Sequence, residues 1–448
     1  MPAAEAADSD ARESAPLSDR ELTRLFAPLA RAGKIALAVS GGSDSLALLD
    51  AIDRWRRRGR RPEVVVLTVD HRLRKGSGRE AAMVAKIARS RKLPARILVR
   101  AGAAPRSDVE AAARVARYRL LLAACREEGA SHLVVAHHRD DVAETFLLRL
   151  KRGAGVFGLA AMRPAIAAGG ITLVRPLLAV PRSRLRATAL AAHWMPVDDP
   201  MNSDPRLARA AVRRLLARGT LDPALLAATA GKFAELADSI DASVTALIAD
   251  AVTVDAFAVA WLDPERFAAA PEQVRARLLV RMLIAVGGDD YPPRYARLDA
   301  LHGAIAASDS ARPLKRTLGG VVIERKGARV AFYREAGRDG LPTMRVQPGF
   351  DGVWDHRFRV TVGTTAPLRL TLASVGEAGR REVRERLGPA AAGLPPAAVA
   401  VLPVVRQGRK IVAIPRVSPA RRAVSVTFRQ IVGARLRRPP LFPDPPLD

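Results

Sequence analysis

Lys34-Ile35-Ala36-Leu37-Ala38-Val39-Ser40-Gly41-Gly42-Ser43-Asp44-Ser45-Leu46-Ala47-Leu48-Leu49 is the stretch whose reading decides the fold. Its first part, 35–39, is apolar throughout, so a strand there must be covered on both faces. Ser40-Gly41-Gly42 stops the strand, and the apolar spacing then becomes helical over 45–58. A buried strand, a glycine turn and a helix make the first half of a βαβ unit. That turn suits an anion. Two glycines let the backbone approach closely, successive N–H groups can point inward, and the helix N-terminus adds partial positive charge. Ser43 and Ser45 can donate hydroxyl hydrogen bonds, and Ser45 can also cap the helix. Asp44 is the odd member, because a carboxylate beside a phosphate cradle repels the ligand unless it holds Mg2+ or enters the chemistry. An ordinary capped strand-to-helix turn is the structural alternative. The loop is not of the G-x-x-x-x-G-K-[ST] type, since no lysine follows.

Working outward, apolar runs recur at 64–69, 95–99, 132–136 and 171–174, with helical patterns over 78–92, 109–128 and 141–150. Apolar strands alternating with helices predict an α/β fold, a doubly wound parallel sheet, over residues 18–217. Residues 1–17 are small, polar and expected to be disordered. From 218 to 338 the strand signals fade, and a mostly helical middle domain is expected. It has helices over 221–252 and 271–286, a short strand at 257–262 and a hairpin of 321–324 with 329–333. Residues 339–448 read as a small basic mixed α/β domain, with strands at 358–362, 368–372, 399–405, 410–414 and 424–428 and a Pro-rich tail.

The second chemical signal is Ala136-His137-His138-Arg139-Asp140-Asp141-Val142-Ala143-Glu144-Thr145, at the exit of the fourth strand. Loops at the strand C-termini of a doubly wound sheet share one crevice at the topological switch point, so this segment should face the glycine loop. Asp141, Glu144 and Thr145 stand at i, i+3 and i+4 on one helix face, with His138 at the entry. Such a group can bind a cation, hold a metal or take a proton. Dipole complementation of the first helical turn explains one such acid, though not the whole cluster.

The 448 residues carry 73 Lys+Arg against 45 Asp+Glu, a net charge of 73 − 45 = +28. A chain that basic points to a polyanion, nucleic acid first, although genome base composition also inflates arginine. Aromatic residues are only 4%, so base stacking is a minor term and arginine contacts to phosphate should dominate. Expected RNA-binding clusters are Arg206, Arg209, Arg213 and Arg214, then Arg406, Arg409 and Lys410, with Arg380, Arg381, Arg384 and Arg386 and the group from Arg421 to Arg438 beside them. Cys125 is the single cysteine, which excludes a disulfide framework, a thiolate zinc site and a two-cysteine sulfur relay. The N-terminus carries acids and lacks an apolar core, and no run approaches the ~20 apolar residues of a membrane span. A cytoplasmic protein with no membrane partner is expected.

Together these residues resemble the PP-loop ATP pyrophosphatase superfamily, and within it the tRNA(Ile)-lysidine synthase branch. The S-G-G-x-D-S loop is one element. Val69-Asp70-His71-Arg72-Leu73-Arg74 and the helix from Glu110 through Arg114 and Arg117 to Tyr118 are similar to two more. His138 to Thr145 followed by Leu150-Lys151-Arg152-Gly153-Ala154-Gly155 is a fourth, and Asp199-Pro200-Met201-Asn202 with Arg209, Arg213 and Arg214 a fifth. The resemblance implies that ATP adenylates C2 of the wobble cytidine of a CAU-anticodon isoleucine tRNA, releasing pyrophosphate, and that free L-lysine then displaces AMP. It implies ATP binding by Ser40, Gly41, Gly42, Ser43, Asp44, Ser45 and Val69, with Mg2+ on Asp44. It makes Asp44, Arg114, His138 and Asp141 catalytic, and Asp141 with Glu144 the lysine seat. The chemistry agrees, since an ammonium seeks carboxylates and must lose a proton before it attacks.

Val142 stands where the branch often has Gln, Met201 replaces a Ser, and the usual Asn before Glu110 is missing. A thiolase of the same superfamily would need a second cysteine, and a glutamine-dependent synthetase an amidotransferase domain. A non-catalytic RNA binder would have no use for Asp44, His138, Asp141 and Glu144 together. A homodimer is compatible with the sequence, which does not fix the oligomeric state.

Overall fold

The computed structural model describes residues 14–59, 61–72, 76–100, 109–160, 162–168, 170–194, 208–288, 295–309, 313–367, 369–417 and 425–438. Two compact units result, divided between Ala237 and Asp238.

The first unit is built on a six-stranded sheet in the order β3-β2-β1-β4-β6-β5. Its strands are β1 (Lys34–Ala38), β2 (Glu63–Asp70), β3 (Ala95–Val99), β4 (His132–Val134), β5 (Ala165–Ala168) and β6 (Ile171–Val174). β1 pairs in parallel with both β2 and β4, so the chain winds outward from β1 and then crosses back to its other side. The helices are α1 (Asp19–Leu25), α2 (Ser43–Arg56), α3 (Ser77–Ser90), α4 (Val109–Glu127), α5 (Arg139–Lys151), α6 (Arg182–Ala191), α7 (Ala208–Ala217) and the start of α8 (Pro223–Ala251). Alternation within the apolar strands feeds two separate cores. Ile35, Leu37, Val64 and Val66 pack with Leu46, Leu49 and Trp55, while Ala36, Val65 and Leu67 pack with Leu121, Ala124 and Cys125. Two-sided burial is what the unbroken apolar runs required. The Cys125 thiol is fully buried, and burial pushes it up to about 11. The antiparallel edge strand β5 has no counterpart in the sequence reading. Its Ala-rich segment carries no alternation, and only pairing with β6 makes it a strand.

The second unit is less helical than expected. Around α9 (Glu272–Gly287), the strands β7 (Val252–Val254), β8 (Ala260–Leu262), β9 (Lys315–Leu318), β10 (Val321–Lys326) and β11 (Arg329–Arg334) form a five-stranded sheet. The expected hairpin is β10–β11, in register Ile323 to Phe332. Beyond it lie β12 (Met344–Val346), β13 (Asp351–Trp354), β14 (Phe358–Val362), β15 (Leu370–Ser374), α10 (Gly376–Leu387), β16 (Pro403–Gln407), β17 (Lys410–Ala413) and β18 (Val426–Gln430). These strands make a four-stranded and a three-stranded sheet. The strand expected at 399–405 begins only at Pro403, because Pro396 starts a short helix, Pro396–Ala400, as its fixed φ and missing N–H favour. One contiguous core, from Val244 to Leu436, runs through all three sheets. Helix α9 carries Arg277 and Arg281 into that core, where Arg277 grips Asp241 with both ends of its guanidinium at 2.8 and 2.9 Å.

Candidate active site

The switch point lies between β1 and β4, and the chain leaves both strands at the same edge of the sheet. After β1, Gly41 takes a φ of 95°, a left-handed conformation that favours glycine. Gly42, not Ser45, is the N-cap of α2. Ser45 is already helical and turns its hydroxyl back under the loop. Its Oγ accepts the N–H of Ser40 at 3.2 Å and of Gly41 at 3.1 Å and donates to the Gly42 carbonyl at 2.9 Å. Two successive amides aimed at one oxygen form a nest of the kind that takes anions, filled here by the Ser45 hydroxyl.

After β4, His138 is the N-cap of α5 and forms a reciprocal cap with Asp141, whose Oδ2 accepts the His138 N–H at 3.1 Å. The cap brings the two expected segments together. His138 is 2% exposed, with its Nε2 at 3.5 Å from Asp44 and 3.4 Å from Asp141 and its Nδ1 at 3.8 Å from Asp140. Burial alone would disfavour a charged ring, but the Asp141, Asp44 and Asp140 carboxylates outweigh it and push the imidazole up to about 9. Its Nδ1 also accepts the Asp141 N–H at 3.4 Å, the second half of the cap, while Nε2 faces the Asp44 and Asp141 carboxylates. Burial alone would likewise raise the Asp44 carboxyl, yet His138 and then Arg182, at 3.9 Å, hold it below the usual carboxylate range.

Further along α5, Glu144 is 3% exposed and receives Arg209 Nε at 2.6 Å and Arg213 Nε at 2.7 Å, while Asp141 receives Arg209 Nη2 at 2.9 Å. The carboxylates expected to seat an ammonium already gather cationic nitrogens. Arg209 and Arg213 thus face the acidic site, whereas Arg214 of the same helix is exposed. Arg206 and the Asp199-Pro200-Met201-Asn202 element lie outside the described residues, as do Arg421 and Arg422.

Arg114 is 8% exposed and lies 5.1 Å above the Tyr118 ring. A cleft of about 410 Å3 runs along this edge, lined by Ser40, Gly42, Asp44, Ser45, Val69 and His137 among others. Arg114, His138, Asp141 and Glu144 are buried and do not line it.

In the second unit Arg406 donates to the carbonyls of Arg409 and Val375, and Arg409 and Lys410 are exposed at the turn between β16 and β17. On α10, Arg380, Arg381 and Arg386 pair with Glu377, Glu385 and Glu382 of the same helix, which lowers their charge toward outside partners.

Three groups at the first unit's cleft had no role in the sequence reading. Arg182 lines the cleft near Asp44, and no periodicity marks it. Tyr118 also lines the cleft, beneath Arg114 and Arg117. Arg175, 1% exposed, donates to His137. Its one sequence signal is a charge directly after the apolar run 171–174.

The family model of the PP-loop domain matches residues 15–219. Sheet order, glycine nest and family model together define a PP-loop ATP-binding domain.

Relatives narrow this further. The chain is 41% identical over 328 residues to the tRNA(Ile)-lysidine synthase of Bradyrhizobium sp. strain BTAi1, covering 69% of this chain and 92% of that one. It is 34% identical over 390 residues to the tRNA(Ile)-lysidine synthase of Ruegeria pomeroyi, covering 85% of this chain and 88% of that one. Among solved structures, the U34-tRNA thiolase NcsA from Methanococcus maripaludis superposes with a TM-score of 0.41 at 16% identity, over 48% of this chain and 77% of that one, too distant to bear on function. The chain belongs to the tRNA(Ile)-lysidine synthase family and is a ligase that forms a carbon–nitrogen bond. Among the described residues no helix is long and apolar enough to cross a membrane.

Proposed function

We propose that the chain joins free L-lysine to C2 of the wobble cytidine of a CAU-anticodon isoleucine tRNA, through an adenylated cytidine, with release of pyrophosphate and then AMP. The observation that carries this reading is the pair Asp141 and Glu144, which holds cationic nitrogens at 2.6 to 2.9 Å close to a phosphate nest. In the first step phosphate oxygens replace the Ser45 hydroxyl on the Ser40 and Gly41 amides, beside the N-terminus of α2. The His138 ring ties Asp44 of the loop to Asp141 of α5, so nucleotide and amine sites share one link. The loop amides meet the charge that builds at phosphorus, and Arg114 adds its positive field from outside the cleft lining. In the second step the lysine ammonium replaces a guanidinium on Asp141 and Glu144. It gives up its proton, and the free amine attacks C2 as AMP leaves.

The donor set also fits Mg2+ carried by the nucleotide. Among the described residues no three His, Cys, Asp or Glu side chains group as a metal cage, and Asp44 supplies one carboxylate beside the nest, so the remaining ligands would be phosphate oxygens and water. Bound there, Mg2+ would neutralise charge on the leaving pyrophosphate.

The tRNA backbone is taken by exposed cations, Arg214 in the first unit and Arg409 and Lys410 in the second, with Arg406 beside the latter pair. The reaction is placed in the cytoplasm, and 18–217, 218–338 and 339–448 are taken as catalytic, middle and RNA-binding domains.

The test combines purified protein, Mg-ATP, radiolabelled lysine and isoleucine-tRNA transcript with a CAU anticodon. Label in alkali-stable RNA is the expected result, since an aminoacyl ester would hydrolyse. Pyrophosphate and AMP release without transfer of label would sink the lysine assignment, and an inert mixture would sink the enzyme.

A further inference from the structure

His137 and His138 are adjacent, yet their rings meet opposite surroundings. His138 sits among carboxylates, and His137 faces arginines. Arg175, at the end of β6, donates its Nε–H to His137 Nδ1 at 3.1 Å. Arg175 is 1% exposed and is anchored through Nη1 to the Arg163 carbonyl at 2.8 Å, so this donor is fixed in place. A guanidinium only donates, so Nδ1 must keep its lone pair and the ring proton must sit on Nε2. His137 lines the cleft, and among the described residues its Nε2 makes no hydrogen bond. The charged groups facing the ring are Arg175 after β6, Arg114 and Arg117 of α4, and Arg209 of α7. Burial and then these cations hold the imidazole well below its ordinary 6.5.

We propose that His137 is a permanently neutral hydrogen-bond donor, locked as the Nε2–H tautomer by Arg175, that binds a phosphate oxygen of the nucleotide in the cleft. This rests on the reading of the cleft as the ATP site. Arg117, Arg182 and Arg213 line the cleft beside His137 and favour an anionic oxygen, and the phosphate nest lines the same cleft. During adenylation the cytidine O2 forms its bond to the α-phosphorus as the bond to the pyrophosphate oxygen breaks. His137 gives a hydrogen bond throughout and transfers no proton. Arg175 is a positioning residue, acting only through the ring.

Two measurements test this. In wild-type protein with 13C- and 15N-labelled histidine, the His137 signals, assigned by their loss in His137→Gln, should show an unprotonated Nδ1 and no titration between pH 5 and 8. In Arg175→Met the Nδ1 lone pair loses its donor, and the single fixed tautomer should be lost. A wild-type His137 that titrates near 6.5, or carries its proton on Nδ1, overturns the lock. In the second measurement, tRNA-dependent pyrophosphate release is followed without lysine. His137→Phe should slow it by ~10²-fold, the usual effect of removing one preorganised donor, and His137→Gln, which keeps an N–H, by under about 10-fold. Release in His137→Phe within about 3-fold of wild type overturns the donor role. If wild type itself releases no pyrophosphate, the proposed function fails, and the histidine spectra still decide the lock.

Discussion

Replacing Glu144 with Gln tests the acidic site at its most buried point. Glu144 is 3% exposed and accepts charged bonds from Arg209 Nε at 2.6 Å and Arg213 Nε at 2.7 Å. The amide keeps one acceptor oxygen, so one bond is lost and the other weakens to a neutral acceptor. With hydrogen bonds to charged groups worth ~1.5–3 kcal/mol each, the net loss should be about 3 kcal/mol. The helix that donates them, α7, has Ala210 as its buried residue, so little apolar packing replaces the loss. At ~1.4 kcal/mol per decade, local opening of α7 should become about 10²-fold more frequent. Hydrogen exchange read by mass spectrometry should show the Ala208–Ala217 amides accelerated by that factor, with β1 and β4 unchanged. The KM for lysine should rise while pyrophosphate release falls far less. Glu144→Gln combined with Arg209→Met should be clearly non-additive, as expected of direct partners. Unchanged exchange in α7, or equal loss of both half-reactions, would refute the reasoning.

Other outcomes follow from single features. Asp44→Ala should abolish turnover while leaving the far-ultraviolet circular dichroism of the chain unchanged; residual turnover above about 1% of wild type would remove Asp44 from the chemistry. Arg184 grips Glu21 through both oxygens and holds its carboxyl at about 2, down from 4.5. A depressed carboxyl stabilises above 4.5 and loses that contribution as pH falls from 4.5 to 2. Because Glu21 is over a third exposed, the effect should be only ~1 kcal/mol, seen as a smaller acid loss in urea titrations of Glu21→Gln. If tRNA binding neutralises, say, six phosphates, the log–log salt slope should be about −4 to −5, and a slope near zero would remove the RNA surface.

The sheet was legible because its evidence is local. Apolar runs with two-sided burial, separated by helical periods, leave one architecture, and the glycine loop marks where it turns. What escaped was whatever depends on pairing. β5 lacks a pattern of its own, and the five-stranded sheet of the second unit uses strands such as Val252–Val254 that are too short to show alternation. The candidate site segments were legible as chemistry, since S-G-G-x-D-S and H-x-D-D-x-x-E concentrate groups that a plain turn or cap does not need. Their partners were not. Arg209 and Arg213 suggested an RNA surface because sequence shows charge but not direction, and only the fold turns them onto Glu144.

The same limit explains the two histidines. Nothing in the dipeptide separates His137 from His138, and in isolation both would titrate near 6.5. What separates them arrives from elsewhere in the chain. Asp44 comes from the far side of the switch point to favour the proton on one ring, and Arg175 comes from the next strand to disfavour it on the other. This division answers a problem that the reaction poses. One pocket must attract a polyphosphate and, close by, an ammonium, and these ask for opposite fields. An uncompensated carboxylate cluster would repel ATP, and an uncompensated arginine cluster would repel lysine. The His138 ring between Asp44 and Asp141 links the acids to the phosphate nest, and Arg209 with Arg213 balances the charge of Glu144, the proposed amine seat. Histidines shifted in opposite directions one residue apart let the proposed sites hold both fields.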